Sequence, residues 1–170
     1  VPSRAGAKPG DILHTTGAVG AAMMGFEALR DGTGGDSLAY RRPVALLREG
    51  QALAPNVSAM MDVSDGLLLD AWRMAKASGV TLMIESLAVP IATPETRRQD
   101  ALRWGDDYQL LFTAPPDAPL PVPAQRIGEV RGLGAMVAME LVRNRRADAP
   151  DPDLTKRLVQ AAGRRGLVLL

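Results

Sequence analysis

Two short acidic segments hold the residues of this sequence best suited to chemistry. In AMMDVSDGLLLDAWRMAKASG, Ala59 to Gly79, the side chains of Asp62, Ser64 and Asp65 fall between an apolar run and an amphipathic helix. Asp62 closes a strand-like run, at the carboxyl end where ligand sites of α/β sheets gather and where a buried carboxylate without partners is costly. Ser64 and Asp65 admit two readings. They can start the helix, Ser64 as its N-cap and Asp65 as an acid beside the first exposed N–H groups. They can also hold a metal and a phosphate, because Mg²⁺ prefers hard carboxylate oxygens with phosphate and water, and helix N termini bind phosphate. One short turn offers both, and the two roles are compatible.

The second segment is WGDDYQLLF, Trp104 to Phe112, in which Gly105 lets the chain turn and Asp106 and Asp107 precede an apolar strand. Adjacent acids in such a place suit a solvated turn as well as a ligand site. A third candidate is HTTGAVG, His14 to Gly20, whose glycines allow either a close approach of backbone to phosphate or tight helix packing. His14 is the only histidine and has no evident Ser or Cys partner nearby, so it reads as structural or surface despite its aptitude for proton transfer. There is no cysteine, which excludes thiolate catalysis, disulfides and cysteine-bound zinc.

The elements that must position these acids alternate in type. DILHTT reads as a strand and AVGAAMMGFEALR as a helix packed closely on a sheet. Pro43 suits the first turn of a short helix, PVALLREGQAL, with Leu46, Leu47 and Leu53 on its apolar face. Val57 to Val63 is a second strand. The helix after it runs from about Gly66 to Ser78, buries Leu67, Leu68, Ala71, Met74 and Ala75, and ends at Gly79 in the left-handed conformation. VTLMIES, YQLLFTA and QRIGEV are further strands, the last two separated by PPDAPLPVP, an extended surface loop. The pattern predicts an α/β (α+β) fold with a mixed sheet of about five to seven strands flanked by helices.

With 170 residues, 46% of them hydrophobic, the chain suits one domain with an ordinary core. No apolar run approaches the roughly 20 residues that span a bilayer, so a membrane role is not expected and a reducing cytoplasm is. Residues 1–129 carry 12 basic against 15 acidic side chains, and residues 130–170 carry 8 against 4. The basic tail has no aromatic residue for base stacking and its arginines alternate with apolar residues, so nucleic acid is not the expected partner. The first residue is Val1, and the sequence reads as a piece of something longer.

Taken together, SRAGAKPGD, HTTGAVG, AYRRP, AMMDVSDGLLLDA, ALRWGDDYQLLFT and RIGEV resemble the C-terminal domain of thiamine-monophosphate kinase. That family also includes aminoimidazole ribonucleotide synthetase and selenophosphate synthetase. The resemblance covers about residues 1–130, and the D-x-S-D-G-L and G-[ED]-D-Y-x-L-L-F motifs occur in order. It implies an ATP- and Mg²⁺-dependent transfer of a phosphoryl group to thiamine monophosphate, giving thiamine diphosphate. It also implies that Asp62 and Asp65 are Mg²⁺ ligands, that Ser64 contacts the nucleotide, and that Asp106 stands where the family has a substrate-contacting glutamate one methylene longer. No catalytic group is assigned. The family's N-terminal domain and aromatic C-terminal lid have no counterpart here, so the chain alone is expected to be inactive and to need a complementing N-terminal domain or a homo-oligomer.

The remaining segment, about Val130 to Leu170, resembles the C-terminal domain of 4-aminobutyrate aminotransferase. It contains neither the Schiff-base lysine nor the aspartate partner of pyridoxal phosphate, so no pyridoxal phosphate is expected. The seam falls near Ile127 to Gly132, which suggests a recombined chain in which MVAMELV docks as a strand on the same sheet. Two alternative functions are a non-catalytic assembly module and a fragment of a pyridoxal-phosphate aminotransferase.

Overall fold

The computed structural model describes residues 2–132 together with Asp153 and Lys156. The chain divides into two units, Val1–Gly134 and Ala135–Leu170, and every element named here belongs to the first. The expected strand MVAMELV, the tail helix and the docking of the tail lie outside the described residues.

The short β-branched and apolar runs form strands, and the stretches with 3.6-residue spacing form helices. In chain order the elements are β1 (Ile12–Thr15), α1 (Ala21–Arg30), α2 (Leu38–Arg41), α3 (Leu47–Leu53), β2 (Ala59–Asp62) and α4 (Leu67–Ser78). They continue with β3 (Val80–Ile84), a 3-10 turn (Glu95–Arg97) leading into α5 (Arg98–Arg103), β4 (Leu110–Ala114) and β5 (Gln125–Gly132). Helix α4 ends as its glycine predicts, with Gly79 left-handed at φ 66 and ψ 37. The helix expected from Pro43 begins instead at Leu47, and of its three leucines only Leu53 is buried. Leu47 is exposed because the residues before it, Arg41 to Ala45, run over the surface.

The five strands make one sheet in the order β2-β4-β1-β5-β3. The expected α/β layering of helices on a sheet is present. Among the described residues all four strand pairings are antiparallel, and a parallel relation enters only as a single bridge between Val19 and Ile91. The reason lies in α4: β2 and β3 occupy opposite edges of the sheet, so α4 crosses a whole face and does not return the chain to an adjacent parallel strand.

Strand β4 pairs with both β1 and β2, and its side chains alternate between two apolar clusters. Leu111 joins Leu13, Val63, Leu67, Met74, Leu102 and Ile127 on the face covered by α4 and α5. Phe112 and Ala114 join Leu53 on the other face. There the proline-rich loop does more than run along the surface, since its Ala118, Leu120, Val122 and Ala124 pack on that second cluster. His14 stacks on Phe112 with ring centroids 5.1 Å apart and 12° between the planes, and burial pushes its pKa down. It is a packing residue, as its lack of partners suggested.

Candidate acidic site

Helix α4 starts at Leu67, within a residue of the expected start, but its cap is not Ser64. Its N-cap is Gly66, at φ 109 and ψ 141, and no side chain caps it. Ser64 therefore lies two residues before the observed cap. The turn is held by Asp70, one turn into α4, whose carboxylate is buried. Asp70 Oδ2 accepts the backbone N–H groups of Ser64 at 3.0 Å and Asp65 at 2.9 Å. Its Oδ1 accepts Arg73 Nη1 at 2.9 Å. A buried carboxylate so provided with donors is stabilised where a bare one is not. Asp70 replaces Ser64 as the residue that fixes the start of the helix.

The acids singled out by sequence have different surroundings. Asp62 is exposed at the end of β2, which corrects the expectation of a buried carboxylate there. The strand ends at the sheet edge, where solvent reaches it. Asp65 is exposed and forms an ion pair with Arg73, not with the helix N terminus. The hydrogen bond to Asp65, and after it the one to Asp70, pushes the pKa of Arg73 up. Among the described residues no hydrogen bond or ion pair engages the carboxylates of Asp62 and Asp106 or the hydroxyl of Ser64.

The second acidic loop is stitched to the first along the backbone. Asp106 N–H donates to Ser64 O at 3.0 Å, Tyr108 N–H to Val63 O at 2.9 Å, and Val63 N–H to Gln109 O at 2.8 Å. Two glycines permit the approach. A Cβ on Gly66 would run into the carbonyl of Arg103, and one on Gly105 would run into the carbonyl of Ser64. Asp106 and Tyr108 both take left-handed φ values, 63° and 52°. Aspartate tolerates that region; tyrosine does so at a cost of order 1–3 kcal/mol, which the three cross-loop hydrogen bonds offset. The result brings Ser64 and Asp106 into neighbouring turns.

Asp107 is not a solvated turn residue. Its Oδ2 accepts Gly20 N–H at 2.6 Å and its Oδ1 accepts Ala22 N–H at 3.1 Å, so it caps α1 from 85 and 87 residues away. Burial pushes its pKa up, and the backbone N–H donors of Gly20, Ala22 and Ala21 offset this only partly. The HTTGAVG glycines accordingly serve packing: a Cβ on Gly20 would come within 2.7 Å of Ala101 Cβ, and the helix terminus already holds a carboxylate. Sequence reasoning missed Asp70 and Arg73. The three-residue spacing of Asp70 and Arg73 on one helix was the available signal.

For a divalent cation the donor set is chemically apt, with hard oxygens from Asp62 and Asp65. Among the described residues no group of three or more acids or histidines is placed to hold a metal ion. Mg²⁺ commonly takes one or two carboxylates and fills its sphere with water and phosphate oxygens, so the residues present fit part of a site. No helix among the described residues is long and apolar enough to cross a membrane.

Comparison with known proteins bears on the family and the fold. Residues 8–137 match the model of the AIR synthase related protein, C-terminal domain. Thiamine-monophosphate kinase of Salmonella typhimurium is 38% identical over 127 residues, covering 66% of this chain and 39% of that protein. The crystal structure of thiamine monophosphate kinase from Aquifex aeolicus superposes with a TM-score of 0.71 at 30% identity, over 76% of this chain and 50% of that one. AaThiL complexed with AMPPCP and TMP gives a TM-score of 0.70 at 31% identity, over 77% and 48%. The chain thus spans half or less of the length of these relatives, and their names include no aminotransferase. By the extent of these matches, the chain belongs to the family of AIR synthase related proteins and corresponds to their C-terminal domain.

Proposed function

We propose that this chain supplies one half of a thiamine-phosphate kinase site, which transfers a phosphoryl group from ATP to thiamine monophosphate and yields thiamine diphosphate and ADP. The observation that carries the reading is the junction of the two acidic loops. Backbone bonds and paired glycines lock it, yet it leaves the Asp62 and Asp106 carboxylates and the Ser64 hydroxyl without protein partners among the described residues. A fold that spends left-handed strain on a loop and then presents its polar groups to solvent is built to meet a ligand.

In this reading Asp62 and Asp65 hold Mg²⁺, Ser64 donates to a nucleotide phosphate, and Asp106 accepts from thiamine monophosphate. When bound, Mg²⁺ would neutralise charge on the transferring phosphoryl oxygens. The chain's own contribution is positioning, which dominates catalysis of this reaction class. Other ligands come from a complementing N-terminal domain, in another polypeptide or in a self-associated form, and the site works in the cytoplasm. The segment after Val130 is read as aminotransferase-like and free of pyridoxal phosphate, so the purified chain carries no such chromophore.

The test is to add the N-terminal half of the Salmonella typhimurium kinase to the purified chain and follow thiamine diphosphate formation. The mixture gains activity that neither part has, and Asp62→Asn abolishes the gain. A stable complex of the two parts without activity contradicts the reading. One observation favours an assembly role as a second reading: Trp72 is 56% exposed beside a groove of about 530 Å³ between α4 and β3. Light scattering that shows a monomer counts against it.

A further inference from the structure

One of the two acids read as metal ligands is already occupied by a cation of the protein. Arg73 Nη1 reaches Asp65 and Asp70 together. The two carboxylates differ sharply in freedom. Asp70 is fully buried and held by two backbone N–H groups, whereas the Asp65 side chain is 53% exposed and has Arg73 as its one side-chain partner among the described residues. Arg73 is 34% exposed and lies three residues beyond Asp70 on the same helix face, so it can swing from one acid without leaving the other.

We propose that Arg73 is a built-in counter-ion which competes with a divalent cation for Asp65, and that Asp70 is the positioning residue that holds both the Ser64–Asp65 turn and the arginine. The proposal rests on the phosphoryl-transfer reading of Asp62 and Asp65. Its physical basis is charge. Asp65, Asp70 and Arg73 together carry −1, and a divalent cation arriving at Asp65 meets the guanidinium at contact distance. Arg73 must release Asp65 to admit the cation, and Asp70 keeps the released arginine from being stranded. Without the cation, the pair holds the Asp65 carboxylate in place.

A network that only braces the loop would weaken cation binding whichever member was removed. A competing counter-ion gives effects of opposite sign. Mn²⁺ alone is the probe, followed by the electron paramagnetic resonance signal of the free ion during titration of the full chain. Arg73→Met should bind Mn²⁺ about two- to fivefold tighter than wild type, the scale of a partly exposed ion pair, and Arg73→Lys should stay near wild type. Asp70→Asn should bind more weakly, because Arg73 then rests wholly on Asp65. Asp62→Asn should weaken binding in every background. In wild type, the Arg73 Nε–H resonance should move in step with the Asp65 amide as Mg²⁺ is added.

Binding that depends on Asp62 but is unchanged or weaker in Arg73→Met overturns the counter-ion role and leaves the metal reading intact. Binding indifferent to Asp62→Asn overturns the metal reading itself. A complete lack of Mn²⁺ binding by wild type and Arg73→Met overturns both. An Arg73 resonance that stays still while the Asp65 amide moves overturns the proposal even if the Arg73→Met variant does not fold.

Discussion

The two acidic loops solve the same problem in different ways. Each is held by a carboxylate that anchors backbone: Asp70 anchors the amides of Ser64 and Asp65, and Asp107 anchors the start of α1 beside Asp106. Asp70 works locally, on amides five and six residues before it, and a guanidinium balances its charge. Asp107 works at long range and has no counter-ion among the described residues; burial pushes its pKa up and the neighbouring Asp106 carboxylate adds to this, against the backbone N–H donors. Asp70 shares its guanidinium with a second acid, whereas Asp107 is tied to a helix end fixed by the fold. The charge-balanced arrangement sits at the candidate metal ligand and the other at the start of α1.

The junction of the loops should be the most sensitive point. Gly105→Ala places a Cβ against the Ser64 carbonyl and within 3.1 Å of Asp65 Cα, and should destabilise the fold by about 2–4 kcal/mol. Thermal denaturation measures this, and a change under about 1 kcal/mol would show that the loops can part without cost. Next comes the long-range anchor. Asp107→Ala strips two N–H groups of α1 of their acceptor and should cost about 1–2 kcal/mol in urea denaturation, with faster hydrogen exchange confined to α1.

The local anchor should matter less to stability. Asp70→Asn keeps an acceptor for the Ser64 and Asp65 amides and should cost about 1 kcal/mol, seen mainly as faster exchange of those two amides. A loss larger than that of Asp107→Ala would invert the comparison.

The smallest effect is in pH. A carboxyl raised in the folded state contributes stability that is present below its unfolded value and fades as pH rises through its folded value. Wild type should therefore lose stability relative to Asp107→Asn as pH climbs out of the ordinary aspartate range, and denaturation at two pH values reads the difference.

Much of this was legible in the sequence because it is local. The strand before Asp62, the helix to Ser78 and the left-handed Gly79 follow from periodicity and turn chemistry. The cap of α4 was not, since Ser64 and Asp65 satisfy every preference for a helix start and only the buried Asp70 removes their amides from that role. Nor could spacing show that Asp107 reaches Gly20, or that Gly66 and Gly105 face each other's loops, because those contacts join distant stretches of chain. The antiparallel order was hidden for the same reason: strand and helix alternate, but α4 crosses the sheet.

The central claim is that the two loops form half of a metal-dependent nucleotide site. Calorimetric titration of the folded chain with AMPPCP, with and without Mg²⁺, tests it most directly, using wild type, Asp62→Asn and Asp65→Asn. The account predicts binding that requires Mg²⁺ and is lost in Asp62→Asn and Asp65→Asn while their circular dichroism is unchanged. A folded wild-type chain that binds no nucleotide in Mg²⁺, or variants that bind as well as it does, would contradict it.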